Sequence, residues 1–196
     1  MDQKLLDATV AVLAEGGLEA ISLDRVAEQA GISRVTLWRQ GVTRESLIAA
    51  LLARLASDYR DALWPILTAE GSGRERLRQA LEALCAVADR HLPLLLASDT
   101  AFHQSGGPGF NFNEPIERLL RDGIADRSLP PETEPRELAN VLFNAVCWPY
   151  VHLRGRHGWA PERAREQLVG LLMRGIGTAV RSAGRATAER STGAEE

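Results

Sequence analysis

Apolar residues recur along this 196-residue chain at the three- and four-residue spacing of helices, and almost nowhere at the alternating spacing of strands. The pattern predicts an all-α protein of about nine helices, because each such segment gathers its apolar side chains on one face. Glycine, proline and short polar runs separate the segments, as at Gly16–Gly17 and at 104–109. The hairpin signals of a strand-based fold, such as Asn-Gly between β-branched runs, are absent from the sequence.

Composition and charge narrow the possible functions. The net charge of -3 argues against a uniformly basic surface, so any contact with nucleic acid must come from a local basic patch. Cys85 and Cys147 lie far apart in apolar segments, which indicates buried thiols rather than a disulfide or a zinc site. We predict no metal and no other cofactor. Without a signal-peptide pattern or a long apolar run, the chain is expected to be cytoplasmic, with no membrane partner.

Residues 23–40 (LDRVAEQAGISRVTLWRQ) meet the requirements of a helix-turn-helix, in which two short helices cross at a tight turn. Ala27 is small where the second helix crosses, and Gly31 supplies a turn residue that tolerates a positive φ. Ser22 and Ser33 are predicted to cap the two helices. The space between the helices is filled by Val26, Ala30, Ile32 and Leu37. An ordinary helical hairpin is the alternative, but it would not require all these residue types at once.

Basic charge is concentrated on the second helix of this motif and just after it. Arg34, Arg39 and Arg44 occur between Ser33 and Arg44 without an intervening acid. Residues 1–47 as a whole nevertheless carry seven acidic and five basic residues. Contact with phosphates and base edges requires such local concentration of positive charge. The sequence therefore predicts that this helix contacts a double-stranded DNA operator.

From Leu5 to Leu55 the sequence resembles the tetracycline-repressor (TetR) family of transcriptional regulators. The matching positions are Ser22, Val26, Ala27, Ala30, Gly31, Ile32, Ser33, Thr36, Leu37, Glu45 and Leu47. The resemblance implies a three-helix DNA-binding domain at 1–47, followed by a larger helical ligand-binding and dimerisation domain at 48–183. The remaining residues, 184–196, are small and polar and are expected to form a disordered tail.

Four positions depart from the family pattern. Trp38 stands where tyrosine is usual, Gln40 where histidine is common, and Arg44 where lysine is usual. Gly41 replaces a packed apolar residue, which puts the junction with the fourth helix in doubt unless Trp38 or Val42 fills the space. By chemistry and by resemblance, Arg34 is expected to contact a guanine edge and Val35 a thymine methyl group. The other predicted DNA contacts are Ser22, Ser33, Thr36, Trp38, Arg39, Gln40 and Arg44.

The C-terminal half is expected to bind a ligand and to form a homodimer. The resemblance implies that the last two helices of each protomer form a four-helix interface, and a single motif of this size needs two half-sites for useful affinity. A pocket for a small, largely apolar effector is expected among helices four to eight. Its predicted lining residues are Trp64, Phe102, His103, Phe110, Phe112, Trp148 and His152. Each of them is also compatible with an ordinary position in the core.

Together these features predict a ligand-responsive transcriptional regulator, expected to be a repressor. It would bind a palindromic operator as a dimer and be released by its effector. An enzyme is one alternative, but the sequence shows no Gly-x-Ser-x-Gly elbow and no evident catalytic Cys–His or carboxylate pair. A helical ligand-binding or adaptor protein that has lost DNA binding is the other, favoured by Gly41 and by the acidic balance of residues 1–47.

Overall fold

A computed structural model of the chain describes residues 2–104, 112–131 and 134–191, with side chains defined except at 99–104 and 177–191. Over these ranges the predicted all-helical fold is confirmed, with nine α-helices and no strand. The helices are α1 (Gln3–Ala20), α2 (Leu23–Ala30), α3 (Arg34–Arg39), α4 (Arg44–Leu67), α5 (Gly73–Arg90), α6 (Leu92–Gln104), α7 (Glu114–Ala125), α8 (Pro135–Gly155) and α9 (Pro161–Ser191). No helix within the described ranges is both long and apolar enough to cross a bilayer.

The helices of the N-terminal part begin and end where local chemistry predicts. Ser22, Ser33 and Thr43 each precede a helix, and each side-chain oxygen accepts a hydrogen bond from the backbone N–H three residues later. The two glycines within α1 depart from helical geometry, with φ of -150° at Gly16 and +70° at Gly17. The predicted interruption of the first helix at this pair is therefore confirmed as a kink.

Helix α4 joins the two parts of the molecule without a linker. The predicted boundary between residues 47 and 48 falls inside this continuous helix. Its buried residues run from Leu47 at one end to Leu63 at the other and belong to a single hydrophobic core. Helix α1 packs against α2, α4 and also α6, so a second element of the C-terminal part contacts the N-terminal one.

The C-terminal part is assembled by close approaches between distant helices. The start of α5 lies so close to α7 that a Cβ atom on Gly73 would overlap the backbone of Gly123. Two hydrogen bonds reinforce this junction: the Gly73 N–H donates to the Asp126 carboxylate at 2.6 Å, and the Arg74 N–H donates to Ser128 Oγ at 3.0 Å. The contact fixes α5 and α7 at backbone-to-backbone distance.

The disordered tail expected at 184–196 stays a prediction. Helix α9 continues to Ser191, beyond the point where large apolar residues end in the sequence. Alanine, arginine and glutamate, which dominate 185–190, are strong helix formers. Residues 192–196 lie outside the described ranges.

Candidate nucleic-acid interface

Two glycines with left-handed backbone frame the α3 helix. At the end of α2, Gly31 has φ +63° and the Ile32 N–H donates to the Ala27 carbonyl at 3.0 Å. At the end of α3, Gly41 has φ +66° and the Val42 N–H donates to the Leu37 carbonyl at 3.0 Å. Both helices thus end in the same glycine motif, which satisfies carbonyls left over at a helix terminus.

This geometry explains why a glycine occupies position 41. A Cβ atom built there would meet nothing within 4 Å, so the position is open rather than packed. The positive φ is what favours glycine, because an L side chain in this conformation is strained. Val42 is partly buried against the core, whereas Trp38 is 75% exposed. The junction that the departure at Gly41 put in doubt is therefore a regular helix end, with Val42 beside it in the core.

Helix α3 is anchored through one face and exposes the others. Leu37 is fully buried, while Val35 is 55% exposed and Trp38 still more so. Arg39 and Gln40 are also exposed. Val35 and Trp38, three residues apart, give this solvent-facing helix exposed apolar surface that another molecule can contact. Helix α3 therefore exposes the apolar side chains of Val35 and Trp38 beside positively charged arginines.

Four of the polar residues predicted to contact DNA, Ser22, Ser33, Arg34 and Thr36, already have partners within the motif. Arg34 forms an ion pair with Asp24 of α2, with 3.0 Å between Nη1 and Oδ2. Ser33 Oγ accepts from the Thr36 N–H at 3.1 Å and lies 2.8 Å from the Thr36 hydroxyl. Ser22 caps α2 by accepting from the Arg25 N–H. These side chains hold α2 and α3 in place, and all of them except half-buried Ser22 are exposed.

Arg44 has an internal role that the sequence did not indicate. Its Nη2 donates to the Leu18 carbonyl at 2.8 Å and its Nε donates to the Ile21 carbonyl at 3.1 Å. The carboxylate of Glu19 lies 3.7 Å away. The first turn of α4 is thus fastened to the segment between α1 and α2. The predicted phosphate contact of Arg44 stays a prediction beside this role.

An aromatic cluster lies in the interior between α4, the start of α7, and α8. Phe112 packs edge-on against Tyr59, with ring centroids 5.1 Å apart, and stacks on Phe143 at 5.7 Å. The Tyr59 hydroxyl donates to the Phe112 carbonyl at 2.7 Å. Burial raises the pKa of this hydroxyl, so it stays protonated and remains a donor. Of the predicted effector contacts, Phe112 lies in this cluster.

The other predicted effector contacts lie in different settings. Trp148 and His152 are half-buried one turn apart on α8. The prediction that Trp64 lines an interior pocket is wrong for this conformation, since its side chain is 67% exposed. Tyr59 and Leu63, four residues apart, take the inward face of α4 and turn Trp64 to the surface. The side chains of Phe102 and His103, and Phe110 as a whole, lie outside the described residues.

Two polar contacts of α4 with distant parts of the chain were missed by the sequence reasoning. His91, between α5 and α6, has Nε2 2.8 Å from the Asp58 carboxylate, and Arg54 lies 3.3 Å from Asp7 of α1. Burial lowers the pKa of His91, and the hydrogen bond and charge of Asp58 partly offset this effect. Partners 33 and 47 residues apart leave no local signal in the sequence. Among the described residues, no three His, Cys, Asp or Glu side chains are grouped to hold a metal.

Comparisons with known proteins agree with this geometry. Residues 5–51 match the family model for bacterial regulatory proteins of the tetR family. The HTH-type transcriptional repressor KstR2 of Mycolicibacterium smegmatis is 25% identical over 187 residues, which cover 88% of this chain and 89% of that protein. The alignment thus extends well beyond the helix-turn-helix.

Solved structures share the whole fold. The regulator FadR of Bacillus subtilis, in complex with stearoyl-CoA, has a TM-score of 0.72 at 15% identity, covering 88% of this chain and 98% of that one. A TetR-like transcriptional regulator of Rhodococcus sp. RHA1 has a TM-score of 0.65 at 25% identity, covering 89% and 94%. In the sequence of residues 5–51 and in the fold of its described residues, the chain is similar to bacterial transcriptional regulators of the tetR family.

Proposed function

We propose that this protein is a repressor that binds a palindromic operator as a homodimer and is released by a small, largely apolar effector. The observation that carries the proposal is the outward face of α3, where Val35 and Trp38 are exposed beside Arg34 and Arg39. A relative named as a repressor supports the direction of control. Since its target is DNA, we place its action in the bacterial cytoplasm.

The proposed DNA contacts divide into two groups. Arg34 reads a guanine edge and Val35 contacts a thymine methyl group, because both are exposed at the start of α3. The remaining contacts, to the sugar-phosphate backbone or to bases beside it, are assigned to Ser22, Ser33, Thr36, Trp38, Arg39, Gln40 and Arg44. The hydroxyl groups in this second group also cap helices, so their first contribution is to hold the two helices in register.

Selection of DNA by the purified protein tests the proposal directly. Sequencing of bound fragments from a random library should yield a palindrome with half-sites about 10 base pairs apart or a multiple of that spacing. Arg39→Ala should weaken the binding of all sequences, whereas Arg78→Ala, which removes an exposed charge from α5, should not. An adaptor protein without DNA binding would enrich no motif and would not be retained on heparin at low salt.

The proposed dimer uses the exposed apolar residues of α8 and α9. Val141 on α8 is 59% exposed and Leu171 on α9 is 62% exposed, although both are large and apolar. Gly175 lies one turn after Leu171 on the same exposed face of α9. A symmetric partner presenting the same two helices would cover this surface.

Charge introduced on this face distinguishes a dimer from a monomer. Leu171→Glu and Gly175→Glu should each give monomers by light scattering and abolish operator binding, because like charges would meet near the two-fold axis. A Cβ atom at Gly175 meets nothing within 4 Å, so the new side chain begins in open space. Gln79→Glu, on the exposed face of α5, is the matched control. Full dimers in both α9 variants would place the interface elsewhere.

The proposed effector site adjoins the aromatic cluster of Tyr59, Phe112 and Phe143. The aromatic side chains of this cluster, together with half-buried Trp148 and His152 further along α8, suit a ligand that is mostly apolar and carries one or two polar groups. The proposed lining also retains Phe102, His103 and Phe110. The structural neighbour that binds stearoyl-CoA supports an effector with an apolar chain.

Induction in this proposal acts through α4 and α6, which both pack against α1. Stearoyl-CoA is the first probe, with Trp148 fluorescence as one readout of binding. Linkage requires reciprocity: operator DNA must weaken the binding of stearoyl-CoA by the same factor by which stearoyl-CoA weakens the binding of operator DNA. Equal affinity for stearoyl-CoA with and without operator would contradict coupling between the two sites for this ligand.

A further inference from the structure

Asp24 stands opposite the residue that we expect to read a base. Its carboxylate lies 3.0 Å from Nη1 of Arg34, across ten residues and from one helix of the motif to the next. Asp24 is in the first turn of α2, and Arg34 is the first residue of α3. We propose that Asp24 is a positioning residue that orients the Arg34 guanidinium toward a guanine and so sets base preference. This inference rests on the proposed DNA-binding function.

The geometry of the guanidinium allows both contacts at once. Arginine has five N–H donors in a planar fork, and a two-donor contact with O6 and N7 of guanine uses only two of them. The pair with Asp24 engages Nη1. An arginine side chain already held by a carboxylate has less rotamer freedom to lose when it meets the base. Asp24 therefore prepares Arg34 for one geometry of contact.

The charge of Asp24 acts in the opposite direction on sequence-independent binding. A carboxylate beside the recognition helix repels phosphates and opposes the attraction that all DNA sequences share. Its removal should therefore raise affinity for random DNA while it lowers the preference for guanine. A residue that acts only through its charge would change the affinity for all DNA sequences alike. A positioning residue should also change the preference for guanine, and in the opposite direction.

Fold stability does not account for the pair. Arg34 and Asp24 are 66% and 64% exposed, and exposed ion pairs contribute little to folding. An acid in the first turn of α2 does interact favourably with the helix dipole. That role affects the melting temperature and does not depend on Arg34.

Asp24→Asn keeps the shape of the side chain and removes its charge. In competitive selection followed by sequencing, guanine preference at the Arg34 position should fall about two- to fivefold, the range expected for coupling within an exposed ion pair. Affinity for random DNA should rise. Glu28→Gln, which removes an exposed acid one turn later on α2, should leave base preference unchanged. In the Arg34→Ala background, Asp24→Asn should cause no further loss of preference.

The outcomes separate this inference from the proposed function. If the wild-type protein enriches no motif, DNA recognition itself is wrong and the role of Asp24 is refuted with it. If the wild type enriches a palindrome and Asp24→Asn retains the full guanine preference, only the positioning role is refuted. A lower melting temperature with unchanged preference would show that Asp24 serves the helix dipole alone.

Discussion

The helix-turn-helix and the C-terminal bundle are both helical, but they are specified at different distances along the chain. In the helix-turn-helix, Ser33 accepts from an N–H three residues away, and at Gly41 helix α3 ends with a hydrogen bond from the Val42 N–H to the Leu37 carbonyl, five residues back. In the bundle, Gly73 meets Gly123, and Tyr59 donates to the carbonyl of Phe112 from 53 residues away. The structure of the helix-turn-helix is determined mainly by local contacts at helix ends. The structure of the C-terminal bundle is determined mainly by packing between distant helices.

This difference accounts for how each region tolerates change. Local helix ends fix the shape of the DNA-binding part while leaving its surface residues open to variation in operator sequence. Tertiary packing fixes the bundle, so its interior can adapt to another ligand only when several helices adjust together. Substitutions in the helix-turn-helix should therefore destabilise the protein through backbone strain or the loss of a helix cap. Substitutions in the C-terminal bundle should destabilise it through steric overlap between packed helices.

The largest effect is expected at the α5–α7 contact. Gly73→Ala should reduce the free energy of unfolding by about 2–3 kcal/mol, because the added methyl group overlaps the Gly123 backbone and the helices must separate. Urea unfolding followed by circular dichroism measures the change. Gly170→Ala on α9 is the control: its Cβ meets only the end of the Arg174 side chain, so it should be neutral or stabilising. If Gly73→Ala and Gly170→Ala changed the free energy of unfolding equally, close packing against Gly123 would not be what requires glycine at position 73.

A smaller effect is expected from backbone strain at the end of α3. Gly41→Ala should cost about 1–2 kcal/mol, since alanine must adopt φ near +66° without gaining any contact. Gly41→Asn should cost less, because asparagine tolerates the left-handed region. The same urea experiment compares the two. If alanine and asparagine cost the same, the conformation at Gly41 is not what selects glycine.

Loss of a cap should be smaller again. Ser33→Ala should destabilise the protein by about 1 kcal/mol, because the Thr36 N–H loses its acceptor at the start of α3. Ser33→Gly should cost only a few tenths of a kcal/mol. Thermal unfolding of the three proteins ranks them. A glycine variant less stable than the alanine variant would mean that the cap does not operate as described.

The smallest effect concerns protonation of His91. Burial lowers its pKa below the value of about 6.5 expected in an unfolded chain, so the unfolded protein binds the proton more readily. The contribution of His91 to stability should be complete above that pH and should fall as the pH drops toward the lower folded-state pKa.

His91→Gln should therefore flatten the loss of stability between about pH 7.5 and about pH 5.5. Urea midpoints at the two pH values measure it, and His157→Gln, at an exposed histidine, is the control. An unchanged pH profile in His91→Gln would exclude His91 as the titrating group.

The sequence was sufficient where partners are near neighbours. The caps at Ser22 and Ser33 and the turn at Gly31 follow from residue type, because donor and acceptor lie within a few residues. The role of Gly41 was harder to predict. The sequence shows that a side chain is missing at this position, but it does not show the positive φ that favours glycine there.

Partners distant in sequence could not be predicted in this way. Trp64 was assigned to the interior by its aromatic character, but the rotation of α4 is set by Tyr59 and Leu63. The Asp58–His91 contact and the bonds of Arg44 link residues that only the assembled fold brings together. The effector site depends on such contacts, and so its lining remains a proposal.

The attachment of Arg44 bears on how the protein responds to osmotic stress. Its guanidinium donates to the uncharged carbonyls of Leu18 and Ile21 at 2.8 and 3.1 Å, whereas the charged carboxylate of Glu19 lies further away, at 3.7 Å. Dissolved ions weaken attraction between opposite charges far more than hydrogen bonds to a half-buried carbonyl. Rising ionic strength should therefore weaken the proposed attraction to DNA phosphates before it weakens the link between α4 and the segment that joins α1 to α2. The proposed effector would then change operator occupancy from its site in the C-terminal bundle, whereas ionic strength would change it at the contact between α3 and DNA.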